Sequence, residues 1–82
     1  MNFHVYVLRS VKNGKRYVGS TSKDAMERLA EHNAGVNRWT KSNRPFILLY
    51  VEDFSSRTEA RKRENFLKTG QGREWLDVIV PR

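Results

Sequence analysis

The stretch Phe3–Gly19, FHVYVLRSVKNGKRYVG, decides the fold. Its two ends, Phe3–Leu8 (FHVYVL) and Arg16–Gly19 (RYVG), are rich in β-branched and aromatic residues, and Asn13-Gly14 lies between them. Asn-Gly between two such runs is a strong sequence signal for a β-hairpin. The sequence therefore predicts two antiparallel strands joined by a tight turn.

The hairpin determines where two tyrosines point. With a two-residue loop, Tyr17 faces Ser10 and Gly19 faces Leu8 across the ladder. Because side chains alternate between the faces of a strand, Tyr6 and Tyr17 then emerge on one face, whereas an odd-numbered loop places them on opposite faces. Gly19 leaves a shallow depression where a ligand can approach the backbone. Taken alone, strand tyrosines more often serve core or cross-strand packing.

The rest of the chain alternates helix and strand signals. We expect a helix over Lys23–Asn33, a loop over Gly35–Arg44, a strand over Phe46–Val51, a helix from Ser56 to about Thr69, and a short helix over Arg73–Val78. The order ββαβαα predicts an α+β protein, with a three-stranded antiparallel sheet flanked by helices.

The boundaries of these elements have their own signals. Thr21-Ser22 is the N-cap candidate for the first helix, and Gly35 is its stop. Pro45 marks the entrance of the third strand. Ser56–Glu59 (SRTE) fits a capping box, and Gly70 is the expected end of the helix that this box opens.

Size and composition limit the classes of protein. The chain has 82 residues, 16 Lys or Arg, 9 Asp or Glu and no cysteine. We expect a single domain over residues 1–82, because two smaller domains without disulfides or metals could not offset their chain entropy. A disulfide scaffold is excluded, and the two histidines are too few for a closed zinc site. Any metal must therefore be held by oxygen ligands.

The charge and the apolar pattern suggest partners and a location. No apolar run approaches the roughly 20 residues that span a bilayer, and no signal peptide is evident, so we expect a cytoplasmic protein without a membrane partner. A net charge of +7 creates a field that attracts polyanions, of which nucleic acid is the most abundant inside a cell. Simple solubility is the alternative explanation. Protein partners are not indicated.

Two polar residues of the first helix stand four positions apart. Arg28 and His32 project from one face, beside the apolar stripe formed by Ala25, Met26 and Leu29. They can border a pocket together. The alternative is a pair of solvated polar side chains with surface partners.

The next helix carries a carboxylate in its apolar stripe. Glu64 falls between Ala60 and Leu67, where an apolar residue is expected. The alternative role for Glu64 is an i,i+4 ion pair with Lys68. The neighbouring Arg61–Arg63 run is interpreted as a solvated helix face.

These residue types suit phosphodiester hydrolysis. Mg²⁺ is often held by only one or two carboxylates, so Glu64 alone can suffice. Arg28 supplies permanent positive charge for the transition state. Tyr6 or Tyr17 can act as a base where cations favour the phenolate, and His32 can relay a proton.

At these residues the sequence resembles the GIY-YIG nuclease superfamily, most closely its small stand-alone bacterial members. His4-Val5-Tyr6 occupies the GIY position and Tyr17-Val18-Gly19 the YIG position. Arg28 stands at the position of the transition-state arginine, and His32 where a His or Tyr follows it. Glu64 stands at the position of the metal-binding glutamate. The match covers nearly the whole chain.

The resemblance implies a Mg²⁺- or Mn²⁺-dependent endonuclease. It implies that Glu64 binds one divalent cation, that a tyrosine acts as general base, with Tyr17 favoured, and that the products carry a 5′-phosphate and a 3′-hydroxyl. We expect DNA rather than RNA as the partner, in repair or in processing of structured or single-stranded DNA. His4 and Ser20 depart from the family pattern, which motivates a non-catalytic nucleic-acid-binding module as the alternative. A third hypothesis is an RNA-associated basic protein.

A basic loop offers a nucleic-acid surface. Arg38, Trp39, Lys41 and Arg44 combine charge with a stacking ring, and Lys68 adds charge from the following helix. Such a surface suits a flexible or single strand, whose bases stack on aromatic rings. The alternative is a solvated loop with Trp39 packed on the core.

Overall fold

A three-stranded antiparallel sheet organises the chain in the computed structural model, which describes residues 2–80. The strands are β1 Phe3–Ser10, β2 Arg16–Thr21 and β3 Phe46–Phe54, and the helices are α1 Ala25–Asn33, α2 Arg38–Asn43, α3 Arg57–Leu67 and α4 Gly70–Ile79. The strand order β2-β1-β3 makes β2 an edge strand. The expected α+β class and antiparallel sheet are confirmed, with one helix more than expected, α2.

The register of the hairpin differs from the expected one by two residues. Tyr6 faces Gly19, and Leu8 faces Tyr17. The prediction that Gly19 faces Leu8 is therefore wrong. A shift of two residues preserves the face of every side chain, so Tyr6 and Tyr17 share a face, as expected.

A longer turn causes the shift. Arg9 pairs with Arg16, and the Ser10 N–H donates to the Lys15 carbonyl at 2.8 Å, which leaves a loop of four residues, 11–14, in place of the expected two. The Ser10 hydroxyl accepts hydrogen bonds from the backbone N–H groups of Lys12 and Asn13, at 3.1 and 3.3 Å. The Asn13 side chain accepts from the Lys15 N–H at 3.0 Å. These side-chain bonds satisfy the backbone of the wider turn.

The two faces of the sheet carry separate cores. Val5, Val7 and Val18 pack with α3 and α4 on one face. The residues buried with them are Ala60, Leu67 and Leu76 of these helices and Val80, which follows α4. Tyr6 and Leu8 pack with Ala25 and Phe46 on the other face. β1 lies between the two cores, because its residues alternate between them.

The start of α1 was predicted wrongly. The helix begins at Ala25 rather than Lys23, and its N-cap is Asp24, whose carboxylate accepts from the Met26 N–H. Thr21 belongs to β2 and cannot cap the helix. Met26 is 58% exposed, so it does not join the buried stripe. The buried residues of α1 are Ala25 and His32.

The segment predicted as a loop contains α2. The Asn37 side chain caps this helix and accepts hydrogen bonds from the N–H groups of Trp39 and Thr40. Six residues are too few to show a helical period, which explains why the helix was not predicted. The third strand continues to Phe54, past its expected end at Val51.

The junction of α3 and α4 lies earlier than expected. Ser56 caps α3 as predicted and accepts from the Glu59 N–H. The helix ends at Leu67 rather than Thr69, because the Thr69 hydroxyl caps the next helix and accepts from the Gly72 N–H at 3.1 Å. Gly70 is therefore the first residue of α4 rather than the stop of α3.

The close contact of α4 with the end of α3 requires a glycine at position 72. A Cβ on Gly72 would lie 2.5 Å from the Leu67 Cα and even closer to the Phe66 carbonyl oxygen. We expect Gly72→Ala to lower the free energy of unfolding by about 2 kcal/mol or more, because the backbone must move apart. Urea unfolding measures the difference.

Gly70→Ala is the matched control. A Cβ on Gly70 meets nothing within 4 Å, so this change should leave stability equal or raise it by up to about 1 kcal/mol through helix propensity. Equal stability of the two variants would contradict the packing described for α3 and α4.

Candidate active site

A hollow of about 310 Å³ lies at the β2 edge of the sheet. Strands β1 and β2 and helices α1 and α3 contribute its walls. The lining residues are Tyr6, Tyr17, Gly19, Ser20, Arg28, Arg61, Glu64 and Asn65. Four of the five predicted catalytic residues therefore meet at one place, and the fifth, His32, lies behind Tyr6.

Gly19 makes room for the Tyr6 ring. The register places the two residues opposite each other, and a Cβ on Gly19 would lie 2.6 Å from the Tyr6 Cζ and 3.1 Å from the Tyr17 Cε1. Any other residue would push the phenol away. The depression expected at Gly19 is thus occupied largely by the Tyr6 ring, and Tyr6 itself is 1% exposed.

A chain of buried hydrogen bonds runs inward from Tyr6. The Tyr6 hydroxyl lies 2.9 Å from His32 Nε2, and His32 Nδ1 lies 2.9 Å from the Thr40 hydroxyl. Thr40 donates its own proton to the Asn37 carbonyl at 3.1 Å. Thr40 must therefore accept from Nδ1–H, which leaves Nε2 as the acceptor for the Tyr6 proton. The chain holds one tautomer of His32.

Burial keeps both His32 and Tyr6 neutral. It lowers the pKa of His32 to about 4, and the positive charge of Arg28 acts in the same direction. Burial and the neighbouring Tyr17 raise the pKa of Tyr6 to about 12, against the opposing effect of Arg28. At neutral pH His32 is thus a neutral acceptor, already hydrogen-bonded to the Tyr6 hydroxyl.

Glu64 is the carboxylate of the hollow. Its Oε1 accepts from the Ser20 hydroxyl at 2.5 Å, and its Oε2 accepts from Lys68 Nζ at 2.7 Å. Burial raises the pKa of Glu64, but the hydrogen bonds from Lys68 and Ser20 outweigh this effect and bring the pKa below its usual value. The ion pair with Lys68 that the sequence offered as an alternative is present.

An ionised Glu64 fits a hard divalent cation. Such a cation needs oxygen ligands, and one carboxylate with water and phosphate oxygens is a sufficient set. The Lys68 ammonium already holds positive charge at this carboxylate. Among residues 2–80, no group of three or more His, Cys, Asp or Glu side chains could hold a metal ion, so Glu64 would be the main protein ligand.

Arginines supply the positive charge of the hollow. Arg28 is held by Glu31, with Nη1 2.7 Å from Oε1, and its side chain is 23% exposed. Arg61 lines the hollow as well and is exposed, as is Lys62, so the prediction of a solvated helix face holds for these two residues and is wrong for the half-buried Arg63. Arg63 is also partnered, because it donates to both oxygens of Glu52 at 2.8 and 3.1 Å.

The predicted nucleic-acid-binding residues divide into two groups. Trp39 stacks on Tyr17 with ring centroids 5.4 Å apart, and Lys68 is bonded to Glu64, so both border the site. Arg38, Lys41 and Arg44 are exposed on α2 and just after it, outside the lining of the hollow.

Sequence reasoning missed Thr40 and the contact made by Ser20. Thr40 lay in a predicted loop, and no sequence signal connects it to His32. Ser20 was noted only as a departure from lysine, although its hydroxyl binds Glu64. The other departure, His4, pairs with Asp53 of β3 at 2.5 Å and does not line the hollow.

Comparison with known proteins identifies the family. The model of the GIY-YIG catalytic domain matches residues 2–75. The chain belongs to the GIY-YIG nuclease family. This confirms the resemblance based on the tyrosine motifs and Glu64, and it makes nucleic acid the expected class of ligand.

Individual relatives agree with this assignment. A UPF0213 protein of Staphylococcus haemolyticus is 39% identical over 80 residues, covering 96% of this chain and 95% of its own length. A UPF0213 protein of Halobacterium salinarum is 41% identical over 66 residues, covering 79% of this chain and 83% of its own. These similarities confirm the expected relationship to small stand-alone family members.

A solved structure shows the same fold. The solution structure of a UPF0213 protein from Bacillus halodurans has a TM-score of 0.57 and 32% identity, and covers 96% of this chain and 85% of its own. Within residues 2–80 no helix has both the length and the apolar character needed to cross a bilayer.

His32 should make stability depend on pH in a defined window. The pKa of histidine in an unfolded chain is about 6.5, whereas in the fold that of His32 is about 4. Between these values the unfolded chain binds a proton that the folded chain excludes. The free energy of unfolding should therefore fall as pH decreases from about 6.5 to about 4, by about 3 kcal/mol in total.

Urea unfolding at several pH values tests this for wild type, His32→Gln and the control His4→Gln. The loss should persist in His4→Gln and shrink in His32→Gln. If His32→Gln does not fold, ¹⁵N NMR of the wild-type rings decides the question. A His32 ring that titrates near its ordinary pKa, or carries its proton on Nε2, would contradict the hydrogen-bond chain.

Proposed function

We propose that this chain is a metal-dependent endonuclease that hydrolyses phosphodiester bonds in DNA. The convergence of Tyr6, Tyr17, Arg28 and Glu64 on one hollow carries the proposal. A base, a permanent cation and a metal-binding carboxylate are the groups that phosphodiester hydrolysis requires. The proposed place of action is repair, or processing of structured or single-stranded DNA.

Tyr6 is the proposed general base, in preference to Tyr17, which the sequence favoured. A tyrosine hydroxyl can take a proton from the attacking water only if its own proton has an acceptor. Neutral His32 is that acceptor for Tyr6, at 2.9 Å. The proton moves from water to Tyr6 as the Tyr6 proton moves to His32. Once the product leaves, the low pKa of His32 favours release of this proton through Tyr6 to solvent, which restores neutral His32.

Arg28 and Arg61 stabilise the phosphate oxygens as negative charge develops on them, because guanidinium groups stay charged and donate several hydrogen bonds. The bond between phosphorus and the 3′ oxygen breaks, and this oxygen takes a proton from solvent to become the 3′-hydroxyl. The phosphate keeps the oxygen of the attacking water and stays on the 5′ end of the other product. Glu64 is the proposed ligand of Mg²⁺ or Mn²⁺. Such a cation would supply positive charge to the phosphate and offset the effect of Glu64 on the pKa of Tyr6.

A flexible DNA strand is the favoured substrate. Trp39 is 39% exposed, and the Tyr17 ring supports it from one side. A supported aromatic ring stacks on unpaired bases with little regard to sequence. The exposed cations of α2 then add phosphate contacts, which lead binding when base contacts are few.

A non-catalytic nucleic-acid-binding module is the second candidate. Lys68 already neutralises Glu64 at 2.7 Å, and an ammonium at the carboxylate can take the place of a metal ion. This alternative expects tight binding that does not depend on metal and yields no product.

Replacement of Glu64 separates the two functions. We expect Glu64→Gln to reduce Mg²⁺-dependent DNA cleavage by at least 100-fold, because the neutral amide loses the charge that holds a cation. DNA binding without metal should change less than threefold. Gel assays of cleavage and of binding measure the two effects.

Glu59→Gln is the matched control. Glu59 is exposed in the first turn of the same helix, so this change should leave cleavage within a factor of about two. Equal cleavage by wild type and Glu64→Gln would remove Glu64 from the mechanism. Metal-independent binding by a wild type that forms no product would favour the non-catalytic module.

The two tyrosines should differ on removal of their hydroxyls. Tyr6→Phe should lower kcat by about 10²–10⁴-fold, the usual contribution of a general base. Tyr17→Phe keeps the ring that stacks on Trp39 and should cost less than tenfold. Single-turnover cleavage at saturating DNA measures both, and a larger loss for Tyr17→Phe would assign the base to Tyr17.

A further inference from the structure

A second cleft lies beside the hollow, along the same edge of β2. Its volume is about 580 Å³, within the range of about 300–1,000 Å³ that is typical of small-molecule sites. Tyr17 borders both spaces. Lys68 lines the cleft and donates a hydrogen bond to Glu64, which lines the hollow. A ligand in the cleft would therefore lie next to the proposed reaction centre.

One part of the cleft is apolar and aromatic. Val18, Leu67 and Leu76 lie beneath it and are buried, so its exposed apolar surface comes mainly from Trp39, whose indole is stacked on Tyr17. The stack fixes the plane of the indole, so little side-chain freedom is lost when a flat ligand packs on it. A nucleobase matches this supported, exposed ring.

The other part of the cleft is strongly cationic. Lys15, Arg16, Lys68 and Arg73 line it, and its lining residues include no Asp or Glu. The Arg16 side chain is 7% exposed, with Nη2 2.7 Å from an oxygen of Asp77. Its buried Nη1 has no hydrogen-bond partner among residues 2–80.

A buried donor without an acceptor is unusual and costs free energy. Nη1 itself is buried, but Arg16 lines the cleft, so its guanidinium charge would attract an anion bound there. A phosphate also suits the exposed cations of Lys15 and Arg73, which stand at the same cleft. Base and phosphate together define a nucleotide, whereas a free phosphate would leave the aromatic part unused.

We propose that this cleft binds one nucleotide of the substrate strand, next to the scissile linkage. The base packs on the Trp39 indole, and the positive charges of Lys15, Arg16 and Arg73 hold its phosphate. That this nucleotide belongs to a substrate rests on the proposed nuclease function. Binding of the nucleotide does not depend on cleavage.

Tryptophan fluorescence tests the cleft directly. The chain has two tryptophans, and Trp75 packs against Tyr50 and Arg63, outside the cleft lining. In a Trp75→Phe background, the signal comes from Trp39 alone. Thymidine 5′-monophosphate should quench it saturably, at least tenfold more tightly than either inorganic phosphate or thymidine.

Charge reversal locates the site. In that background, Lys15→Glu and Arg73→Glu should each weaken nucleotide binding at least fivefold, since both side chains are exposed and line the cleft. Lys62→Glu makes the same charge change on the exposed side of α3 and should weaken it less than twofold. Equal losses of affinity in all three variants would show that only the net charge of the protein matters, and would overturn the proposal.

Two further results would also overturn the cleft assignment: no quenching by millimolar nucleotide, or binding of inorganic phosphate as tight as that of the nucleotide. Neither result bears on cleavage that depends on Glu64, so the nuclease proposal would survive. Conversely, saturable nucleotide binding that Lys15→Glu abolishes supports the cleft even in a protein that cleaves no DNA.

Discussion

The hydrogen bond between Tyr6 and His32 is the constraint on which the polar half of this fold depends. Both side chains are buried, and a buried polar group without a partner costs about 1–3 kcal/mol. The bond joins the central strand to α1, and Thr40 extends it to α2. The same bonds that satisfy the buried groups also fix a phenol proton and a histidine tautomer, so stability and proposed chemistry use one network.

Glu64 shows a different balance on the other side of the hollow. Two donors hold its carboxylate ionised, although burial alone would favour the neutral acid. The Lys68 partner is half exposed and flexible, so it can yield to a stronger cation. On one wall of the site the Tyr6–His32 hydrogen bond fixes the positions of the protons, and on the other wall the Lys68 cation at Glu64 can be exchanged for another cation.

Features that depend on periodicity were predictable from the sequence, and features that depend on geometry were not. Alternation alone placed Tyr6 and Tyr17 on one face. This prediction held although the expected register was wrong, because an error of two residues leaves every side chain on the same face. The register itself depended on side-chain bonds of Ser10 and Asn13, which no composition rule reveals. The resemblance to the family predicted that Arg28 and Glu64 belong to the site. Thr40 was not predicted, because it contacts His32 from α2, a helix too short to show a periodic pattern in the sequence.

The position of β2 at the edge of the sheet has a consequence for solubility. An exposed strand edge offers unpaired backbone groups to another chain, and proteins guard such edges with charge or with covering side chains. Here Lys15 and Arg16 stand where β2 begins, and Glu64 of α3 reaches over to Ser20 near its other end. The groups that shape the proposed site therefore also block the addition of a foreign strand, and their loss would invite self-association.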